Sequence, residues 1–263
     1  MIVPFTKAHG AKNDFLLTWM NEAPRTALPD VAIAICDRHT GIGADGWMLV
    51  EAAAGSDPAS IRLFNSDGSE AEISGNGTRC AAAFLIQAGH RGNDIPIKTG
   101  AGLKWLKLIS REDNRFLFEM NMGTPVVEST GPFRIDGQSF EATILNVGNP
   151  QCALFVDDFP EDWQRVGAAV GRDIRFPNGT NVSFVKRAGP ASIDVRFFER
   201  GAGETMSSGT GSTGAAVAAI VRGWVSTPVT VMTPAGDLRV EWDAGEASLT
   251  GPAEIVARGE FYL

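Results

Sequence analysis

The chain has 263 residues, 44% of them hydrophobic, with 23 Lys and Arg against 31 Asp and Glu for a formal net charge of −8 at pH 7. That length suffices for one large domain or two half-sized ones whose cores need no disulfide or metal staple. The acidic balance, without a basic run or a basic amphipathic helix, argues against partners such as nucleic acid and anionic membrane surfaces.

Residues 1–5 run directly into polar sequence with no signal-like segment, and no apolar stretch of roughly 18 residues follows, so a cytoplasmic protein is expected. Cys36, Cys80 and Cys152 are odd in number and widely spaced, which fits reduced thiols in core positions. Cys36 and His39 form half of a zinc spacing without a second half. No HExxH, Walker loop or GxGxxG after a strand occurs, so neither a metal nor a nucleotide cofactor is expected.

In chain order, β-rich alternation over residues 60–64 predicts a strand that enters a Gly- and acid-rich turn. Ser74 with Gly75 and Gly77 marks a helix start, the apolar run 81–86 its body and Gly89 its C-terminal stop. Strands are predicted at 95–98 and 116–120. The same series then returns: a strand over 193–198, a helix start at Ser208 with Gly209 and Gly211, an apolar run 215–220, a stop at Gly223, and strands at 229–232 and 238–242.

The recurrence is a duplication. Residues 62–102 align without a gap on residues 196–236, with thirteen identical pairs in 41 positions, where average residue usage gives roughly three. A constant offset of 134 is close to half the chain and implies two copies of one domain rather than a solenoid, whose period is about 20–50 residues. The expected fold class is therefore α/β (α+β), with two pseudo-symmetric domains, each a curved, mostly antiparallel sheet around a central helix apolar on nearly every side.

Two buried helices with glycine-rich N-termini supply two clusters of free backbone N–H groups at the positive ends of helix dipoles. Facing one another across a domain cleft, they would grip an anion. A carboxylate is the natural guest, because Arg79 and Arg200 are the only basic residues accompanying these loops. Asn13, Asn65, Asn149 and Asn181 lie at turn signals and could add polar contacts. Local sequence offers a plainer reading of the same residues, with Ser74 and Ser208 as N-caps and the asparagines as turn residues. Likewise His9 reads as a hydrogen-bonded structural histidine, and Asp37-Arg38-His39 as a turn braced by an Asp–Arg pair.

The loops carry a further signal. His9-Gly10-Ala11-Lys12-Asn13-Asp14-Phe15, Asp37-Arg38-His39-Thr40-Gly41-Ile42-Gly43-Ala44-Asp45-Gly46, Phe64-Asn65-Ser66-Asp67-Gly68-Ser69-Glu70, Ser74-Gly75-Asn76-Gly77-Thr78-Arg79-Cys80, Gly148-Asn149-Pro150, Thr180-Asn181, Glu199-Arg200-Gly201-Ala202-Gly203-Glu204-Thr205 and Leu249-Thr250-Gly251-Pro252-Ala253 resemble, in order and spacing along nearly the whole chain, the diaminopimelate epimerase family. The resemblance implies a proline-racemase-like fold whose last strand returns to the first domain, here 1–117 plus 256–263 with a second domain at 118–255. It also implies a small amino-acid substrate, no cofactor, and isomerisation of LL- to meso-diaminopimelate in lysine biosynthesis. An exposed sheet edge could support a homodimer.

In that family two cysteines, one from each domain, act as thiolate base and thiol acid on opposite faces of the α-carbon, a role that helix N-termini favour by lowering the thiol pKa. Carried onto this sequence, the resemblance assigns substrate binding to Asn13, Asn65, Gly75, Asn76, Asn149, Asn181, Glu199, Arg200, Gly209 and Thr210, and the two catalytic positions to Ser74 and Ser208. A serine hydroxyl is far less acidic than a thiol and needs an adjacent base to abstract an α-proton. A second departure is Gln151 where the family pattern Gly-Asn-Pro-His has its histidine, and a third is Gly46, where some members carry glutamine. Three readings are open: an engineered Cys-to-Ser pair, a natural member that binds amino acids or performs other chemistry such as dehydration or isomerisation, and an active epimerase with a different base.

Overall fold

The computed structural model describes residues 1–25, 27–52 and 58–263. The chain divides into two compact units, Met1–Met120 with Gly251–Leu263, and Asn121–Thr250.

The first unit starts from a hairpin. Strand Ile2–Gly10 pairs antiparallel with Asn13–Trp19 through a two-residue turn at Ala11 and Lys12, both at positive φ (49° and 60°), the left-handed pair that matches the twist of a tight hairpin. This turn sets Asn13 at the head of the second strand. The next joins alternate: Asn13–Trp19 lies parallel to Gly46–Glu51 through helix α1 (Leu28–Cys36), and Gly46–Glu51 runs antiparallel to Ala59–Asn65. Ala59–Asn65 lies parallel to Asp94–Thr99 through helix α2 (Gly75–Gln87), and Gly102–Glu112 and Arg115–Gly123 continue the sheet antiparallel. The chain's last strand, Glu246–Tyr262, pairs with Ile2–Gly10 and also with Arg115–Gly123, closing the ring.

The second unit repeats that plan. Val126–Ile135, Gln138–Asn146 and Pro150–Val156 are antiparallel; a crossover through helix α3 (Trp163–Gly171) makes Asn181–Gly189 parallel to Pro150–Val156. Ser192–Glu199 follows antiparallel. A crossover through helix α4 (Gly209–Val221) then makes Val229–Met232 its parallel neighbour, and Leu238–Asp243 and the start of the last strand complete the order. Each sheet is therefore mainly antiparallel, with two parallel joins, each bridged by a helix because parallel neighbours need a crossover.

As expected, α2 and α4 are the central helices. Ten of the 13 residues in each are buried, so neither has a polar face left for solvent. Both stop in the same way: Gly89 and Gly223 take positive φ (103° and 75°), their N–H groups bond Ile86 and Ile220, and the next N–H groups, from His90 and Trp224, reach back to Leu85 and Ala219. That is a Schellman cap, in which a glycine avoids the steric cost of the left-handed region.

The second helix of each unit, α1 and α3, was absent from the sequence expectation. Neither has a side-chain cap: Ala27 precedes α1, and Asp162 makes no cap hydrogen bond to α3. They are held by packing instead. Val31, Ala32 and Ile35 pack with Leu16, Trp47 and Phe64, and Trp163, Val166 and Val170 pack with Leu154, Val182 and Phe184, each large buried side chain contributing about 1.5–3 kcal/mol. Trp47 keeps its indole N–H satisfied on Thr18 Oγ1 at 2.9 Å. Among the described residues no helix is long and apolar enough to cross a membrane.

Candidate functional site

In the first unit the site is built around the start of α2. Ser74 is extended (φ −130°, ψ 121°) and its Oγ accepts the Gly77 N–H at 3.1 Å. The buried Asn76 then donates from Nδ2 to Asn13 Oδ1 at 3.4 Å, while its own Oδ1 accepts from Arg79 Nη2 at 2.5 Å. Arg79 is fully buried and also donates to Pro252 O at 3.1 Å; burial lowers its pKa to about 10, which leaves it cationic at neutral pH.

Asn13 is fixed from its other side. Its Nδ2 donates to Asp45 Oδ2 at 2.7 Å, and Asp45 is paired with Arg38 at 2.9 Å. Arg38 also pairs with Asp14 at 2.8 Å, and Lys7 reaches Asp14 at 3.1 Å. Burial opposes ionisation of Asp14, but the hydrogen bonds from Arg38 and Lys7 hold its pKa below the ordinary carboxylate value. The expected Asp37–Arg38 brace is thus corrected. Asp37 accepts from the His39 and Thr40 N–H groups and the Thr40 hydroxyl, bonds that lower its pKa to about 2, whereas Arg38 reaches to Asp14 and Asp45. His9 also differs from expectation: its Nε2 lies 3.9 Å from Glu254, and its buried Nδ1 has no hydrogen-bond partner among the described residues.

Asn65 stands apart from this group. It is exposed at the end of its strand, and its Nδ2 donates to Ser69 Oγ at 2.9 Å within its own turn.

The second unit presents the same frame with different chemistry. Ser208, at nearly the same backbone angles (φ −138°, ψ 125°), accepts the Gly211 N–H at 3.1 Å and donates its hydroxyl proton to the Glu199 carboxylate. Removal from water raises the Glu199 pKa, and the Ser208 hydrogen bond partly offsets that rise. Thr210, the counterpart of Asn76, accepts from Asn149 Nδ2 at 3.3 Å; Gln151 Nε2 in turn donates to Asn149 Oδ1 at 2.7 Å. The Gln151 Oε1 is buried without a partner among the described residues. Asn181 bridges Pro150 O (3.1 Å) and the Arg200 N–H (3.0 Å), while the exposed Arg200 guanidinium donates to Asn178 O at 2.9 Å. A Cβ on Gly211 would stand 2.8 Å from the Phe197 ring, so the start of α4 sits against its strand with no room for a side chain.

The structure therefore groups Asn13, Asn76 and Ser74 in the first unit, and Ser208, Glu199, Asn149 and Thr210 in the second, with Gly75 and Gly209 opening the two helices. The holders of Asn13 and Asn149, namely Asp45 with Arg38 and Gln151, were not assigned from sequence. Asp45 and Arg38 lay inside a quoted motif, but the Asn13–Asp45 pairing across 32 residues is invisible to local spacing; Gln151 stood out only as a departure from the family pattern. The three thiols offer no base: all are buried, and burial pushes Cys36, Cys80 and Cys152 up to about 12. Among the described residues no group of three or more His, Cys, Asp or Glu side chains is placed to hold a metal ion.

The fold is shared with solved structures titled as biosynthetic and epimerase proteins. A PhzF-family phenazine biosynthesis protein of Bacillus anthracis superposes with a TM-score of 0.75 over 100% of both chains at 14% identity. A hydroxyproline epimerase from Agrobacterium vitis gives 0.69 over 98% of this chain and 90% of its own, at 15% identity. At such identities the likeness is one of fold. Sequence comparison goes further: the diaminopimelate epimerase family profile matches residues 5–128 and 143–256. Diaminopimelate epimerases of Pelotomaculum thermopropionicum and Moorella thermoacetica are each 38% identical, covering 98% of this chain and 98% and 99% of their own. The chain belongs to the diaminopimelate epimerase family, as the motifs led one to expect.

Proposed function

We propose that this chain binds an amino acid of the diaminopimelate class by its α-carboxylate and acts at the α-carbon without a cofactor, as an isomerase-type enzyme. One repeated observation carries the reading. In both units the second residue of a glycine-rich buried helix, Asn76 or Thr210, is hydrogen-bonded to an asparagine beside a turn, Asn13 or Asn149. Fixed polar side chains beside unpaired helix N–H groups form an anion-binding element that is organised before the ligand arrives. Arg79 supports it in the first unit, as a buried cation whose hydrogen bonds among the described residues go to neutral oxygens of Asn76, Gly75 and Pro252. On this reading Gly75, Asn76, Gly209 and Thr210 take the carboxylate, and Asn13, Asn65, Asn149, Asn181, Glu199 and Arg200 hold the rest of the molecule.

A second reading, binding without chemistry, is favoured by one observation: Ser74 accepts the Gly77 N–H and, among the described residues, no carboxylate takes its proton. Calorimetry with LL- and meso-diaminopimelate, with the α-carboxamides as controls, tests the substrate class, and α-proton exchange separates the enzyme from the binder. Binding that disappears when the α-carboxylate becomes an amide is expected. Equal affinity for acid and amide would overturn the carboxylate assignment, and no binding of any stereoisomer the whole reading.

A further inference from the structure

Arg79 carries a charge that its surroundings leave uncompensated. It is fully buried, on α2 one turn past the helix start, and helical side chains lean back toward the N-terminus. The guanidinium accordingly reaches that start, donating from Nη2 to Asn76 Oδ1 at 2.5 Å, from Nη1 to Gly75 O at 3.4 Å and from Nε to Pro252 O at 3.1 Å. These bonds use three of the five N–H groups that a guanidinium offers. All three acceptors are neutral, and among the described residues no carboxylate pairs with it. A buried charge is tolerated when something compensates it, and here the described residues supply no such anion.

The helix start has donors to match. Ser74 takes the Gly77 N–H on its side chain and the Thr78 N–H on its carbonyl, so among the described residues the N–H groups of Gly75 and Asn76 are the ones that remain for a guest. The repeat makes the contrast internal. In α4 the position of Arg79 holds Thr213, whose hydroxyl donates to Gly209 O at 2.9 Å, the counterpart of the Gly75 carbonyl, and the cap of that helix is bonded to the Glu199 carboxyl group. Two helix starts with the same glycine-rich frame thus differ in charge: a cation lies behind the first and an acid beside the second.

Resting on the substrate reading above, we propose that Arg79 is a specificity-determining residue whose uncompensated charge, placed behind Asn76 and Gly75 at the start of α2, sets the preference for a carboxylate over its neutral amide. Being fully buried, it acts without touching the ligand. It also fixes the amide of Asn76, whose oxygen is held by the guanidinium while Nδ2 turns to Asn13. Burial strengthens the field, because little solvent screens it. The charge itself persists, since burial lowers the pKa only to about 10.

The test is calorimetry of the whole chain with LL-diaminopimelate and with its diamide, in which both carboxylates are neutral, the weaker amide being measured by competition at high concentration. The ratio of the two affinities is the readout, because a residue that merely held the helix together would alter acid and amide alike. Arg79→Gln keeps a donor for the oxygens of Asn76 and Gly75 and removes the charge; it should lower the acid-to-amide ratio by about tenfold or more, with amide affinity changed little. Should that variant fail to fold, Asn76→Asp leaves the guanidinium in place and gives it an anion from the protein, and must lower the ratio as well. A ratio that survives in the folded variant, or a parallel loss for acid and amide, overturns the inference while leaving the substrate reading intact. Equal affinity for acid and amide in the unaltered protein overturns the carboxylate assignment and the inference with it, and absence of binding removes the whole reading.

Discussion

Asn65 and Glu199 occupy the same position in the two copies of the repeat, 134 residues apart, and only Glu199 holds the hydroxyl of the serine that caps the following helix. The duplication preserved the strand, the turn, the cap and the helix on both sides, while the residue at the end of the strand is an amide in one copy and a carboxylate in the other. The same divergence appears at the start of the following helix: Asn76 and Arg79 in the first copy correspond to Thr210 and Thr213 in the second. The helix start of the first unit is thereby backed by a buried guanidinium, and that of the second by a carboxylate that holds its capping hydroxyl.

Glu199 should also be legible in stability. Its folded pKa lies above the ordinary value of 4.5, so the native state binds this proton more tightly than the unfolded state. The associated stabilisation is complete below the unfolded pKa and is lost as pH rises through the folded one. At neutral pH the ionised, partly buried carboxylate is a burden. Glu199→Gln is therefore expected to unfold at a higher denaturant concentration than the parent at pH 7, with the gap narrowing below pH 4.5. Two parallel denaturation series at these pH values decide it, and a gap that widens on acidification would contradict the assignment of a raised pKa.

Thiols at the two helix caps should raise the rate of inversion. Ser74→Cys with Ser208→Cys places a sulfur at the N-terminus of each buried helix, where free N–H groups and the dipole lower a thiol's pKa. Inversion of diaminopimelate should become faster than in the parent by at least about 10²-fold, the low end of general acid–base catalysis. The measurement is the LL-to-meso conversion rate. An unchanged rate would mean that the remaining departure, Gln151 in place of histidine, is by itself disabling.

Much of this was legible in the sequence, and the limits have physical causes. The six predicted strands and the central helices announced themselves through alternation, serine caps and glycine stops, because these are local signals: Ser74, Gly89, Ser208 and Gly223 each do in the structure what their residue type suggests. The outer helices α1 and α3 were missed because their ends carry no side-chain cap bond, and tertiary packing supplies what local sequence does not. Arg38 was assigned to its neighbour Asp37 because sequence proximity is all that spacing reveals; in the fold it reaches Asp14 and Asp45. The Ser208–Glu199 bond was equally hidden, since the sequence places both residues near the site but does not say that one donates to the other.

The Arg38 pairing has a measurable consequence. Arg38→Ala removes three hydrogen bonds to Asp14 and Asp45 and leaves Asp45 free to release Asn13. Arg38 is more than half exposed, so water screens much of the loss, and a stability cost of about 1 kcal/mol is expected. Ligand affinity should fall further than this, because Asn13 loses its fixed orientation. Calorimetry beside urea denaturation distinguishes the two effects; equal small changes in both would mean that Asn13 is positioned without Asp45.

The thiols provide a check on the core that is independent of any ligand. Burial pushes Cys36, Cys80 and Cys152 up to about 12, so none presents a thiolate at pH 8, and a disulfide reagent attacks the thiolate rather than the thiol. The native protein should release almost no thionitrobenzoate from Ellman's reagent, and the unfolded protein should release three equivalents, matching its three cysteines. Slow reaction in the native state should follow the opening rate of the fold, with Cys80 and Cys152 the last to react because both lie fully within the core. Rapid reaction of one thiol in the native protein would expose a reactive sulfur and contradict the burial of that cysteine.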